Sequence, residues 1–132
     1  MHAHNDMAGA DDLPQQAVAD RMARAAEVLR HLADPTRLHL LWLLTRGPRD
    51  VNSLTAEVDA SRSSVSQHLG RLRLAGLVRA EREGRHMHYR LTSDHLRRLI
   101  DEAGDFADHV VRRIPHHETS TDVERATGTE PA

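Results

Sequence analysis

Ser61-Arg62-Ser63-Ser64-Val65-Ser66-Gln67-His68-Leu69-Gly70-Arg71-Leu72-Arg73-Leu74-Ala75-Gly76-Leu77-Val78 is the stretch whose reading decides the fold. Val65, Leu69 and Leu72 recur at i, i+4 and i+7, which draws one narrow apolar stripe along a helix and leaves the other faces to Ser64, Gln67, His68, Arg71 and Arg73. The serines ahead of Val65 supply N-caps, and Gly76 falls where a helix end favours a left-handed residue, so the helix is short and bounded at both ends. Ser and Gln hydrogen-bond base edges and phosphates while Arg binds guanine or phosphate, so the polar faces suit the major groove of duplex DNA. A solvated Ser-Arg surface helix would read much the same, and the flanking sequence has to decide between them.

The flanks favour DNA. Residues 51–58 predict a short helix with Leu54 and Val58 inward, and Asp59-Ala60-Ser61 turns the chain into the opening stretch. Two short helices joined by a tight polar turn, the second carrying the groove-facing residues, make a helix-turn-helix. On the other side, residues 77–83 and 86–92 are strand-like runs separated by Gly84-Arg85, a hairpin signal with an exposed Arg at its tip. A hairpin directly after a recognition helix is a wing. His86 and His88 alternate onto one of its faces, as solvent-facing or phosphate-contacting positions more readily than as metal ligands.

Charge agrees with this reading once it is taken locally. The 132-residue chain carries a net −2, which by itself argues against nucleic acid. Residues 61–90, however, hold seven Arg (62, 71, 73, 79, 82, 85 and 90) against Glu81 and Glu83, a net +5. The acid lies in the tails: residues 1–20 carry −4 and residues 118–132 carry −3. The basic patch therefore coincides with the recognition helix and the wing. Candidate DNA contacts are Arg62, Ser63, Ser64, Ser66, Gln67, His68, Arg71, Arg82 and Arg85. All 18 basic residues are Arg, which reflects genome composition as readily as function.

The remaining helices can be read from periodicity. From Pro14, the positions Val18, Met22, Ala25, Ala26, Leu29 and Leu32 keep helical spacing. Asp34-Pro35 is an N-cap followed by Pro at the first helical position, and Leu38, Leu40, Leu41, Trp42, Leu43 and Leu44 come next before Gly47-Pro48 stops the run. Ser93 caps a last helix with Leu96, Leu99, Ile100, Ala103, Phe106, Ala107, Val110 and Val111 on one broad face. That face is too wide for a lone terminal helix, and a second copy of the chain, with the first helix alongside, is the simplest cover. The expected fold is mainly α with a small β-hairpin: a winged helix-turn-helix of five helices, homodimeric through its first and last helices. The domain is expected over residues 14–114, with a disordered tail over 1–13 and a flexible, His-containing acidic tail over 115–132.

Other classes are excluded or disfavoured. The absence of Cys removes disulfides, thiol catalysis and thiolate metal sites. No run of 18 apolar residues exists, and Met1-His2-Ala3-His4 lacks the basic start and apolar stretch of a signal peptide, so a cytoplasmic protein with no membrane partner is expected. No nucleophile motif, phosphate loop or enclosed site argues for an enzyme.

Of the 11 His, those of the last helix and of the segment after Pro115 are the informative ones. His95 and His109 lie 14 residues apart, so they share a helix face but are about 21 Å apart at about 1.5 Å of rise per residue. One ion cannot touch both within one helix. If two such helices pair antiparallel across a two-fold axis, His95 of one chain comes opposite Asp108 and His109 of the other, and two equivalent sites form. A mixed His and carboxylate set suits borderline divalent ions such as Ni(II), Co(II) or Zn(II). His116 and His117, just beyond Pro115, would raise the coordination number above four and favour Ni(II) or Co(II). On spacing alone, the polar edge of a dimer helix remains an equal reading, and His2 and His4 belong more readily to a tail than to a site.

These pieces resemble a known family. His31-Leu32-Ala33-Asp34-Pro35-Thr36-Arg37, then Ser64-Val65-Ser66-Gln67-His68-Leu69 with Leu72 and Ala75-Gly76-Leu77-Val78, then Gly84-Arg85 and Tyr89-Arg90-Leu91 resemble the ArsR/SmtB family of metal-sensing repressors, over about residues 20–112. The resemblance implies a dimeric winged helix-turn-helix that represses its operon and leaves the DNA when a metal or other signal binds. It also implies that Ser64, Ser66, Gln67 and His68 face the operator. The family's thiolate site on the third helix is absent, because Asn52 and Ser53 stand there. The four-ligand zinc set of the last helix is broken by Ser93 and Phe106. His95, Asp108-His109 and His116-His117-Glu118 are instead similar to the nickel- and cobalt-sensing branch of the KmtR/NmtR type. The resemblance carries the ligand role to His117 and Glu118 by register, with His116 as a substitute. The function expected from it is a repressor released by Ni(II) or Co(II); a family member answering Zn(II) or a non-metal signal is the alternative.

Overall fold

The computed structural model describes residues 14–113. The tails expected over residues 1–13 and 115–132, with His2, His4, His116, His117 and Glu118, lie outside the described residues. Five helices and three short strands occur in the order α1 (Gln15–Leu32), α2 (Pro35–Leu44), β1 (Arg49–Asp50), α3 (Val51–Thr55), α4 (Arg62–Leu74), β2 (Val78–Glu83), β3 (His86–Leu91) and α5 (Asp94–Arg113). This is the expected winged helix-turn-helix.

Local chemistry sets the boundaries. Asp34, Asp50 and Ser61 each accept a backbone N–H three residues on, from Arg37 at 2.9 Å, Ser53 at 2.8 Å and Ser64 at 3.0 Å, so three of the helices open on a side-chain cap. The end of α4 is closed by Gly76 at φ 83°: its N–H reaches the Arg73 carbonyl at 3.0 Å, and the Leu77 N–H reaches the Leu72 carbonyl at 2.9 Å. That left-handed step reverses the chain into β2, and Gly84 at φ 64° turns the tip of the wing.

Two expectations are corrected. The third helix, predicted over residues 51–58, ends at Thr55; Val58 and Ala60 still pack half-buried on the core, but from the turn. The wing hairpin forms as expected from β2 and β3, but the sheet has a third strand that was not expected, because Arg49–Asp50 pairs outside β3 in the order β1-β3-β2. Two residues between Pro48 and a helix cap show no alternation, so nothing in their pattern announces a strand.

The core is aliphatic. Leu40, Leu41 and Leu44 of α2 meet Leu54 of α3 and Val65, Leu69 and Leu72 of α4, all essentially without solvent contact, and Leu77, Val78 and Leu91 seal the sheet side. Burying such side chains stabilises the fold by about 1.5–3 kcal/mol each, and the three faces they share fix α4 against the scaffold. Leu96 and Ile100 dock the first turns of α5, and Arg97 ties it to α2 by donating to the Thr45 carbonyl.

Beyond that turn, α5 is uncovered. Leu99 is 38% exposed, Phe106 67% and Val111 57%. α1 is similar: Leu32 is buried and Val28 partly so, but Met22 and Leu29 are about half exposed at 49% and 48%. The broad apolar faces of both helices have no cover among the described residues. None of the helices is long and apolar enough to cross a membrane among the described residues.

Candidate nucleic-acid interface and metal-ligand face

The three buried residues of α4 point one way, so the opposite face of the helix is presented outward. Arg62, Ser63, Ser66, Gln67, Arg71 and Arg73 are exposed there and on its flanks. Ser64 and His68 differ from the expectation that they lie on this face. Both are half-buried: the Ser64 N–H is occupied by the Ser61 cap, and His68 lies beside the Val65–Leu72 edge of the apolar stripe with its Nδ1 out of solvent and without a hydrogen-bond partner. Position 68 falls one turn after Val65 and one turn before Leu72, which places it at the margin of the buried stripe rather than on the outer face.

His68 also contributes to the electrostatics of the α2 cap. The backbone N–H of Arg37, and then the nearby charges of Arg37 and His68, hold the Asp34 carboxyl below its ordinary value. Arg37 in turn donates through Nε to the His31 carbonyl at 2.8 Å. The end of α1 and the cap of α2 thus share one polar junction.

Arg62 is held in place. Its Nε donates to Asn52 Oδ1 at 2.8 Å, which clamps the start of α4 to α3. Arg62 and Asn52 also line a cleft of about 260 Å³ together with Asp50, Arg85, His86 and Tyr89, so the wing tip and the helix start share one groove. Among the described residues Arg71, Arg73, Arg82 and Arg85 have no carboxylate partner, whereas Arg79 and Arg90 both pair with Glu81, at 3.2 and 3.3 Å. Cationic charge without a carboxylate partner is thus available on α4 and at the wing tip. His86 and His88, on the same sheet face as Asp50, Glu81 and Glu83, lie against carboxylates, Asp50 for His86 and Glu83 for His88, each at 3.5 Å. The pairing of His86 with Asp50 could not be read position by position, because it depends on β1.

The candidate metal ligands within the described residues are all exposed on α5, His95 in its first turn and Asp108 and His109 near its far end. No three His, Asp or Glu side chains converge on an ion among the described residues, as the separation of about 21 Å along the helix requires. The chemistry of the set, two imidazoles and a carboxylate reachable from solvent, fits a borderline divalent ion; the geometry of one chain does not close a site. Sequence reasoning missed one contact here: Arg98 Nη2 lies 2.9 Å from His95 Nδ1, at i+3 on the same helix turn. An Arg donor leaves that ring nitrogen as acceptor, and the outer Nε2 carries the proton.

Comparison with known proteins agrees with this architecture. The model for "Bacterial regulatory protein, arsR family" matches residues 34–80, from the α2 cap to the first wing strand. The chain is 42% identical over 108 residues to the HTH-type transcriptional regulator KmtR of Mycobacterium tuberculosis strain H37Rv, covering 82% of this chain and 83% of that protein. It is 36% identical over 117 residues to the HTH-type transcriptional repressor SmtB of the same strain, covering 76% and 86%. Among solved structures it resembles the homodimeric winged helix-turn-helix DNA-binding domain from Mycobacterium bovis, with a TM-score of 0.65 at 29% identity, over 78% of this chain and 95% of that one.

Proposed function

The chain belongs to the ArsR family of bacterial regulatory proteins, and from that premise we propose that it is a Ni(II)- or Co(II)-responsive repressor. It is a DNA-binding transcriptional repressor and not an enzyme. In the proposed form it is a homodimer that holds a palindromic operator and lets it go when metal binds between paired α5 helices.

The observation that carries the reading is the α5 helix itself: an uncovered apolar face with His95 at one end and Asp108-His109 at the other. Antiparallel pairing of two such helices covers the apolar face and brings His95 of each chain opposite Asp108 and His109 of its partner. His116, His117 and Glu118 come soon after in sequence and would complete a set of more than four donors. A divalent ion bound there supplies cross-links between the two chains. The protein's own part is mechanical. The wing and α4 are rigidly cored on α2, so a change in how the α5 pair is set changes the spacing of the two recognition helices. Matching adjacent major grooves requires about 34 Å between them. Arg62, Ser63, Ser66, Gln67 and Arg71 of α4, with Arg82 and Arg85 of the wing, make the operator contacts; Ser64 and His68 support them from the half-buried flank. Coupling of about 1–3 kcal/mol between the two sites is enough to release the DNA.

The test is fluorescence anisotropy of a labelled operator duplex titrated with the full chain, alone and with Ni(II), Co(II) or Zn(II). Weakening by Ni(II) or Co(II) of about fivefold or more supports the reading. The alternative is a family member answering Zn(II) or a non-metal signal, and the contact of His95 with Arg98 favours the non-metal form of it. Fewer than about one tightly bound metal per chain would select a non-metal signal, since a symmetric dimer offers one site per chain.

A further inference from the structure

Among the described residues nothing requires position 70 to be glycine. It lies inside α4, between buried Leu69 and exposed Arg71, and it is not among the positive-φ glycines, which are Gly47, Gly76 and Gly84. A Cβ built on it meets no atom within 4 Å. Neither backbone conformation nor packing excludes a side chain, yet glycine inside a helix costs about 1 kcal/mol relative to alanine. The cost makes sense if the empty space is used by something outside the chain.

The position says what that is. Gly70 lies three and four residues from Gln67 and Ser66, and three and four from Arg73 and Leu74, so it occupies the middle of the outward face of α4. All four neighbours are exposed, Leu74 at 92%. A helix with its side chains is about 10–12 Å across, and the major groove is about 12 Å wide. With so little slack, side-chain length on the outward stripe decides how deeply the helix enters. Ser63, Ser66 and Gly70 keep that stripe short, while Gln67 is long enough to reach a base edge.

We propose that Gly70 is the closest-approach position of the recognition helix: its missing side chain lets the wall of the major groove seat against the α4 backbone, and so brings Gln67 and Ser66 within reach of the bases. The inference rests on the operator-binding reading of α4. A Cβ meets nothing at any of the five described glycines, but Gly47, Gly76 and Gly84 are explained by positive φ, which leaves Gly70 and Gly104 inside helices.

The test compares wild type, Gly70→Ala, Gly70→Gln and Gln67→Ala as full-length proteins. Each is measured for thermal unfolding and for binding to two duplexes, one enriched from a random-sequence pool by the wild-type chain and one of random sequence. Gly70→Ala is expected to raise the unfolding midpoint by about 4 °C. It is also expected to weaken the enriched duplex by about tenfold while leaving random-sequence binding within about twofold, because phosphate contacts supply the latter; Gly70→Gln should weaken the enriched duplex further. A higher midpoint with unchanged affinity for the enriched duplex overturns the proposal. So does a lower midpoint, because the glycine would then serve the fold. If Gln67→Ala weakens binding but the Gly70 variants do not, the operator reading stands and the proposal alone fails. If none of the three affects binding, both fail.

Discussion

Asp34 shows how much one side chain does in this fold. It caps α2 through the Arg37 N–H, and that bond, with the charges of Arg37 and His68, keeps its carboxyl depressed. A depressed carboxyl contributes stability that is present above the ordinary Asp value of about 3.9 and is lost as pH falls through the lower folded value. Asp34→Ala should therefore cost about 1 kcal/mol in urea unfolding at pH 7, and its difference from wild type should shrink below about pH 3.9. The cap was legible in Asp34-Pro35, as was the Ser61 cap, because capping is local. The role of His68 was not. Its place in a Ser-Gln-His run suggested an outward contact, but its helix angle beside Val65 and Leu72 leaves it half-buried, and the Asp34 carboxyl it influences is 34 residues away in sequence.

Among the elements, the wing and α4 divide the basic charge unequally. Arg79 and Arg90 share the single carboxylate of Glu81, while Arg82 and Arg85 face solvent without a carboxylate among the described residues. If Arg85 contacts phosphate, Arg85→Ala should weaken DNA of any sequence and reduce the slope of log affinity against log salt by about 1. Arg79→Ala should leave the slope unchanged, and anisotropy titrations over a salt series distinguish the two. The helices and the hairpin could be read from periodicity and glycine placement, since each repeats a pattern over several residues. β1 could not be read, because two residues carry no period. Neither could the pairing of His86 with Asp50 that β1 makes possible. The Arg62–Asn52 clamp escaped for the same reason: nothing local links residues ten apart across a turn.

At the scale of the whole molecule, the uncovered faces of α1 and α5 were anticipated from the width of the apolar stripe on α5. Which donors meet across that stripe could not be read from one chain, because the site the account requires is made by two. Phe106, at 67% exposure, is the largest apolar side chain on that face, and Phe106→Asp should convert the proposed dimer to monomer in sedimentation equilibrium while leaving the unfolding midpoint of the monomer core intact. The central claim is that His95 and His109 serve one ion from opposite chains, and mixing two variants tests it most directly. His95→Ala and His109→Ala, each alone, should lose tight Ni(II) binding. After mixing and subunit exchange about half the dimers are mixed, and each carries one intact site of two, so binding should recover to about a quarter of the wild-type level. No recovery on mixing, or retention of full binding by either variant alone, would contradict the account.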